Sequence, residues 1–207
     1  MHRAQKSLRS NDRLQPSPRR PLPLLRLRVG PSLSAAAHRH ILAAAAGLPI
    51  LVGQPISIAA RPHLTAHRGK LLSSLPHLGT AVHAATFLRR REIILETQLT
   101  RKPGLLRLIT VHEIFHFVWT RLGNPARRSY AALLKAEAAA RARGELGESS
   151  LVKKTPACTP DYVCESFCDT AAWLYAGVRR SPDFTLAARW RNFRRSWFEH
   201  TFGAKMK

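Results

Sequence analysis

His112-Glu113-Ile114-Phe115-His116 has the pattern HExxH, two histidines and a glutamate on successive turns of one apolar segment. Residues four apart share a helical face, so both imidazoles reach one metal ion, and Glu113, one step round from His112, reaches a water on that ion. Zinc lowers the pKa of such a water towards neutrality and polarises a scissile carbonyl, while a neighbouring carboxylate serves as base and proton shuttle. Residues 105–120 are apolar nearly all round, with Leu106, Val111, Ile114, Phe115 and Val118 among them, which predicts a buried central helix. Three ionisable groups in such a helix need a metal or a hydrogen-bonded network to offset their burial.

A catalytic zinc needs a third protein ligand and an open position for water. The extended form HExxHxxGxxH is not followed, because Trp119 and Leu122 stand at its glycine and third histidine. Two donor pairs lie instead in the apolar segment after Thr159-Pro160. Glu165 and Asp169 are four apart on one face; Cys164 and Cys168 are also four apart, on a face rotated by about 100°. With the histidines, Glu165 would make an open site. The two cysteines would make a closed, structural Cys2His2 site, leaving Glu113, Glu165 and Asp169 without partners. A site of two histidines and one glutamate accepts other divalent ions besides zinc.

With HExxH on one helix and ExxxD on the next, the sequence resembles the gluzincin branch of the zincin metallopeptidases, the thermolysin-like arrangement. The resemblance covers roughly residues 90–177. It implies an α+β, zincin-like fold with Zn2+ bound by His112, His116 and Glu165, Glu113 as general base, and Asp169 orienting a ligating histidine, most naturally His112. It further implies that residues 91–97 form the edge strand against which an extended substrate pairs. Peptide hydrolysis follows from the resemblance, metal-activated hydrolysis from the residues themselves. The interval of 49 residues between His116 and Glu165 is longer than in the thermolysin-like pattern. For an oxyanion stabiliser the available residues are Tyr162, Tyr175 and His200.

Other elements must hold these residues in place. Ser34 caps an alanine-rich helix ending at Gly47-Leu48-Pro49, and the runs at residues 50–52 and 56–58 read as short strands. Residues 61–80 read as loop and 80–88 as a turn or two of helix. Asn124-Pro125, Thr159-Pro160 and Ser181-Pro182 each announce a helix, with ends near Arg143, Ala176 and Thr201. Residues of about 144–158 read as a mobile loop. The expected whole is one mainly helical α+β domain, residues 31–203, with a small N-terminal sheet, behind a disordered Pro- and Arg-rich tail of residues 1–30.

The 207 residues carry 34 Lys or Arg against 12 Asp or Glu, a net charge of +22, and residues 1–91 hold 15 basic side chains and 1 acidic one. Such a leader suits non-specific polyanion binding, and a nucleic-acid-associated protein with a structural zinc is the alternative function. An inactive zincin-like interaction domain is another. The last helix interleaves Arg189, Arg191, Arg194 and Arg195 with Trp190, Phe193, Trp197 and Phe198, which reads as a solvated arginine face beside a packed aromatic one. The longest nearly uncharged apolar stretch, residues 41–52, is well short of the ~20 residues that cross a bilayer, so no membrane insertion is expected. Three cysteines cannot close a disulfide framework, which points to a reducing compartment and a cytoplasmic location.

Overall fold

The computed structural model describes residues 25–73 and 79–203. Residues 1–24, where most of the expected tail falls, and residues 74–78 and 204–207 lie outside them. In chain order the elements are β1 (Leu27–Val29), α1 (Ala35–Ala46), β2 (Ile56–Arg61), β3 (Thr65–His67), β4 (Lys70–Leu72), β5 (Thr80–Ala81), β6 (Ala84–Phe87) and β7 (Glu92–Glu96). A short 3-10 turn, Thr97–Arg101, leads into α2 (Pro103–Arg121), α3 (Asn124–Ala139), α4 (Glu148–Lys153), α5 (Pro160–Tyr175) and α6 (Ala188–Phe202). Among the described residues this is a mixed α+β fold.

The larger sheet has the order β1-β2-β7-β6. β1, β2 and β7 run parallel, in a register that pairs Leu27 with Ile56 and Ile58 with Ile93, while β6 runs antiparallel to β7 with Ala85 opposite Ile94. β7 is buried at Ile93, Ile94 and Leu95, as expected of a strand paired on both sides. This corrects the edge-strand expectation. Among the described residues the edges of this sheet are β1 and β6, because residues 80–88, expected as helix, form β5, which pairs with β3, and β6, which pairs with β7. Residues 61–80, expected as loop, contain the β3–β4 hairpin, whose turn residues Arg68 and Gly69 both have positive φ, at 47° and 73°. That is the type I′ geometry which matches strand twist. Residues 27–29, expected within the disordered tail, are β1. Residues 50–52 form no strand beyond a single bridge at Val52.

Ser34 caps α1 as expected, its Oγ accepting the Ala37 N–H at 3.2 Å. Ile41 and Ala44 of α1, Ile56 and Ile58 of β2, Ile93 and Leu95 of β7, and Val111 and Ile114 of α2 share one apolar core. α5 packs along α2, and Phe115 stacks on Tyr175 with ring centroids 5.5 Å apart, while Phe167 stacks on Phe198 of α6 at 5.0 Å. This packing fixes the HExxH helix against the helix carrying Glu165 and Asp169.

Three boundaries differ from the sequence reading. α3 stops at Ala139 rather than near Arg143, because Arg141 and then Gly144 turn with positive φ to reach residue 185. The last helix begins at Ala188, not at Pro182: Ser181 Oγ instead accepts the Asp183 N–H, and the Thr185 and Leu186 N–H groups donate to Glu145 O at 2.9 Å each. Residues 144–158, expected as a mobile loop, contain α4 and the fully buried Glu145 and Ser150.

Arg194 departs most from expectation. Read as part of a solvated face, it is fully buried, with Nε and Nη2 donating to Glu137 at 2.9 and 2.6 Å and Nη1 donating to Glu145 at 2.8 Å. Tyr162 donates to the other Glu145 oxygen at 2.5 Å. A guanidinium with five donors is satisfied here by carboxylates from two other segments, which offsets the desolvation its burial costs.

Candidate metal centre

His112 and His116 stand one turn apart on α2, with ring centroids 4.9 Å apart and planes at 76°. His112 Nδ1 meets Asp169 Oδ1 at 2.7 Å, which leaves Nε2 for another partner. Asp169 is itself held, its Oδ2 accepting the Ser150 N–H at 2.8 Å. Gly147 makes room for that carboxylate, since a Cβ there would stand 2.3 Å from Asp169 Cγ. Glu165 Oε2 lies 3.1 Å from His112 Nε2 and 3.9 Å from His116 Nε2. Its Oε1 accepts a hydrogen bond from Lys153 Nζ of α4 at 2.7 Å.

The thiols occupy the other side of His116. Cys164 Sγ is 3.6 Å and Cys168 Sγ 3.5 Å from its Nδ1. His112, His116 and Cys168 offer ligand atoms all within 4.8 Å of one another, so these three could hold a metal ion. Glu165 makes an alternative third donor with the same two histidines. Adjacent ligands on a tetrahedral ion with bonds of 2.0–2.1 Å are separated by about 3.3 Å, and the two approaches of Glu165 Oε2 bracket that value. Among the described residues, His112, His116 and Cys168 are the group whose ligand atoms all lie close to one another, and Glu165 Oε2 stands beside both histidines.

Glu113 is buried beside this cluster. Its Oε2 accepts a hydrogen bond from Thr86 Oγ1 at 2.6 Å, and among the described residues Oε1 has no partner. Thr86 belongs to β6, so the edge strand and the glutamate are pinned together. His112, Glu113, His116, Glu165 and Asp169 all line one cleft of about 600 Å3, with β6 as one wall and Gly147 and Glu148 at the start of α4 opposite.

The expected oxyanion stabilisers are elsewhere. Tyr162 bonds Glu145, the Tyr175 hydroxyl is buried without a partner among the described residues, and His200 is exposed on α6; none of the three lines the cleft. The sequence reading missed Thr86, Lys153 and His83, the last of which lines the cleft at the corner before β6. Thr86 was within reach of the pattern, as the Ala-Ala-Thr-Phe stretch could have been tested as a strand facing α2. Nothing local points to Lys153.

Burial would lower the His112 pKa, but Asp169 and Glu165 outweigh it and hold the ring well above 6.5. Glu165 is the counterpart: burial raises it, yet the hydrogen bond and charge of His112, with Lys153, bring it down to about 2. The Cys164 thiol is drawn down to about 6 by Cys168 and His116, whereas burial pushes Cys168 up. In the metal-free protein the raised pKa of His112 favours its protonated form. A metal on its Nε2 displaces that proton, so affinity rises with pH from 6 to 8 and binding releases protons. Zinc competition titrations at pH 6, 7 and 8 test this, and a flat affinity across that range would exclude His112 as a ligand.

The chain matches no protein-family model, no curated protein and no solved structure.

Proposed function

We propose that this protein is a zinc-dependent metallopeptidase with a zincin-like fold, its ion held by His112, His116 and Glu165. One observation carries the reading: the Nε2 atoms of both histidines approach one oxygen of Glu165, beside the Glu113 carboxylate, in a cleft walled by an unpaired strand edge. Zn2+ bound there supplies a water of lowered pKa and a Lewis acid for the scissile carbonyl. Asp169 keeps His112 in the tautomer that directs Nε2 inward, as a carboxylate partner does for ligating imidazoles. Lys153 fixes Glu165 through Oε1 and turns Oε2 to the histidines. Glu113 takes the proton of the attacking water on Oε1, its Oε2 being held by Thr86, and passes it to the leaving nitrogen. β6 offers backbone groups to an extended substrate, which pairs as an added strand. The partner is a peptide or protein, with weak polyanion binding through the arginine-rich leader. The three cysteines are unbridged, and we place the protein in the cytoplasm.

The grouping of Cys168 with both histidines favours a second reading, a site closed by sulfur that stabilises the fold and catalyses nothing. Metal content separates the two. Zinc is expected at one equivalent in the wild type and in Cys164→Ser/Cys168→Ser, and to be lost in His116→Ala and Glu165→Ala. Loss in the cysteine variant with retention in Glu165→Ala would establish the closed site instead. Zinc bound as expected but without hydrolysis of any peptide would leave an inactive interaction domain, and steeply salt-dependent nucleic-acid binding would favour the polyanion alternative.

A further inference from the structure

The cleft does not end at the metal centre. Past the corner at His83 it continues into a second cavity of about 240 Å3, and the two share Ala81, Val82, His83 and Leu105. The second cavity is built by the part of the fold that the metal centre does not use: β3 supplies a wall, the 3-10 turn brings Leu99, and the first turns of α2 bring Leu105. Leu64, Val82, Leu99 and Leu105 make most of its surface apolar, and His63, His83, Gln98 and Lys102 also line it. Glu96, an acid in the wall, is turned back on the chain, its Oε2 accepting the Leu64 N–H at 2.6 Å and its Oε1 the Gln98 N–H at 3.3 Å.

Distance along the strand relates this cavity to the chemistry. Thr86, which holds Glu113, follows His83 by three residues, roughly 10 Å at ~3.3 Å per residue. A chain paired to β6 would pass both the general base and the mouth of the second cavity, and its alternate side chains would face the same way. An apolar cavity of about 150 Å3 already accepts benzene.

On these grounds, and resting on the peptidase reading above, we infer that the second cavity is a specificity pocket taking a large apolar side chain, Phe or Leu, about three residues from the scissile bond of an extended polypeptide.

The test uses zinc-loaded protein and peptides identical except at one position, filled in turn by Phe, Leu, Trp, Ala and Asp, with products identified by mass spectrometry. Wild type is expected to prefer Phe and Leu over Ala by at least ~10-fold at a single position about three residues from the cut, in keeping with what an apolar pocket discriminates. Ala81→Trp, at an exposed residue on the mouth, is expected to bring that ratio close to one. Leu99→Ala, which enlarges the cavity, is expected to shift the preference towards Trp. The same order of preference in all three proteins overturns the pocket. If no peptide is cleaved by any of them, the peptidase reading fails, and the pocket is decided by binding: the Phe peptide must bind the Glu113→Gln protein more tightly than the Ala peptide does, and lose that advantage when Ala81→Trp is added. Equal binding of the two peptides overturns it.

Discussion

Glu113→Gln is expected to hydrolyse peptide about 10²–10⁴-fold more slowly than wild type while binding the same amount of zinc, the range by which a positioned general base accelerates proton transfer. The amide keeps the shape of the carboxylate and can still accept the Thr86 hydroxyl, which reaches Oε2 at 2.6 Å in the wild type. What it loses is the basic oxygen. The loss should fall on kcat, since Glu113 acts on the transferring proton and makes no proposed contact to the bound peptide. The measurement is kcat and KM on the best peptide, beside zinc stoichiometry. A variant that keeps its zinc and at least a tenth of wild-type kcat would sink the assignment of Glu113 as base. Zinc loss would show instead that Glu113 is part of the metal-binding set.

The second large effect concerns stability. Arg194→Met is expected to cost about 3–5 kcal/mol, because it leaves Glu137 buried without its counter-ion and Glu145 with Lys154 alone. For a domain of this size that lowers the melting temperature by about 6–20 °C. Arg195→Met, one residue on, removes an exposed guanidinium placed 5.0 Å over the Trp173 ring and is expected to cost no more than ~1 kcal/mol. The contrast rests on burial and pairing, as both residues sit in the same turn of α6. Adding Glu137→Gln and Glu145→Gln to Arg194→Met is expected to recover part of the loss, since neutral amides tolerate burial better than orphaned carboxylates. Thermal denaturation of the metal-free proteins, followed by circular dichroism, checks all three. Equal melting temperatures for Arg194→Met and Arg195→Met would refute the role given to the network.

The parts of this arrangement legible in the sequence are those whose signals are local. The HExxH helix announces itself because its apolar residues surround the chain on every side, and α5 because Thr159 and Pro160 give it a capped start. The acids and thiols at spacing four were legible for the same reason: helical geometry alone puts each pair on one face. What stayed hidden depends on distant partners. β6 is rich in alanine and reads as a strand only beside β7, which needs a neighbour. Residues 182–187 carry the punctuation of a helix, but the Thr185 and Leu186 N–H groups go to Glu145, some 40 residues earlier. The burial of Arg194 depends on acids 57 and 49 residues away, at a separation no periodicity reports. Lys153 could not be found either, because it faces Glu165 only once α4 lies across α5.

The contact between His112 and Asp169 spans 57 residues of chain. During synthesis, at 5–20 residues per second, about 3–11 s separate the two residues at the ribosome. In that interval the growing chain carries its two histidines without Glu165 or Asp169. On the proposed reading, a complete His112, His116 and Glu165 ligand set would exist only after α5 has been made and docked on α2. The α3–α4 segment would then separate synthesis of the HExxH helix from completion of the site.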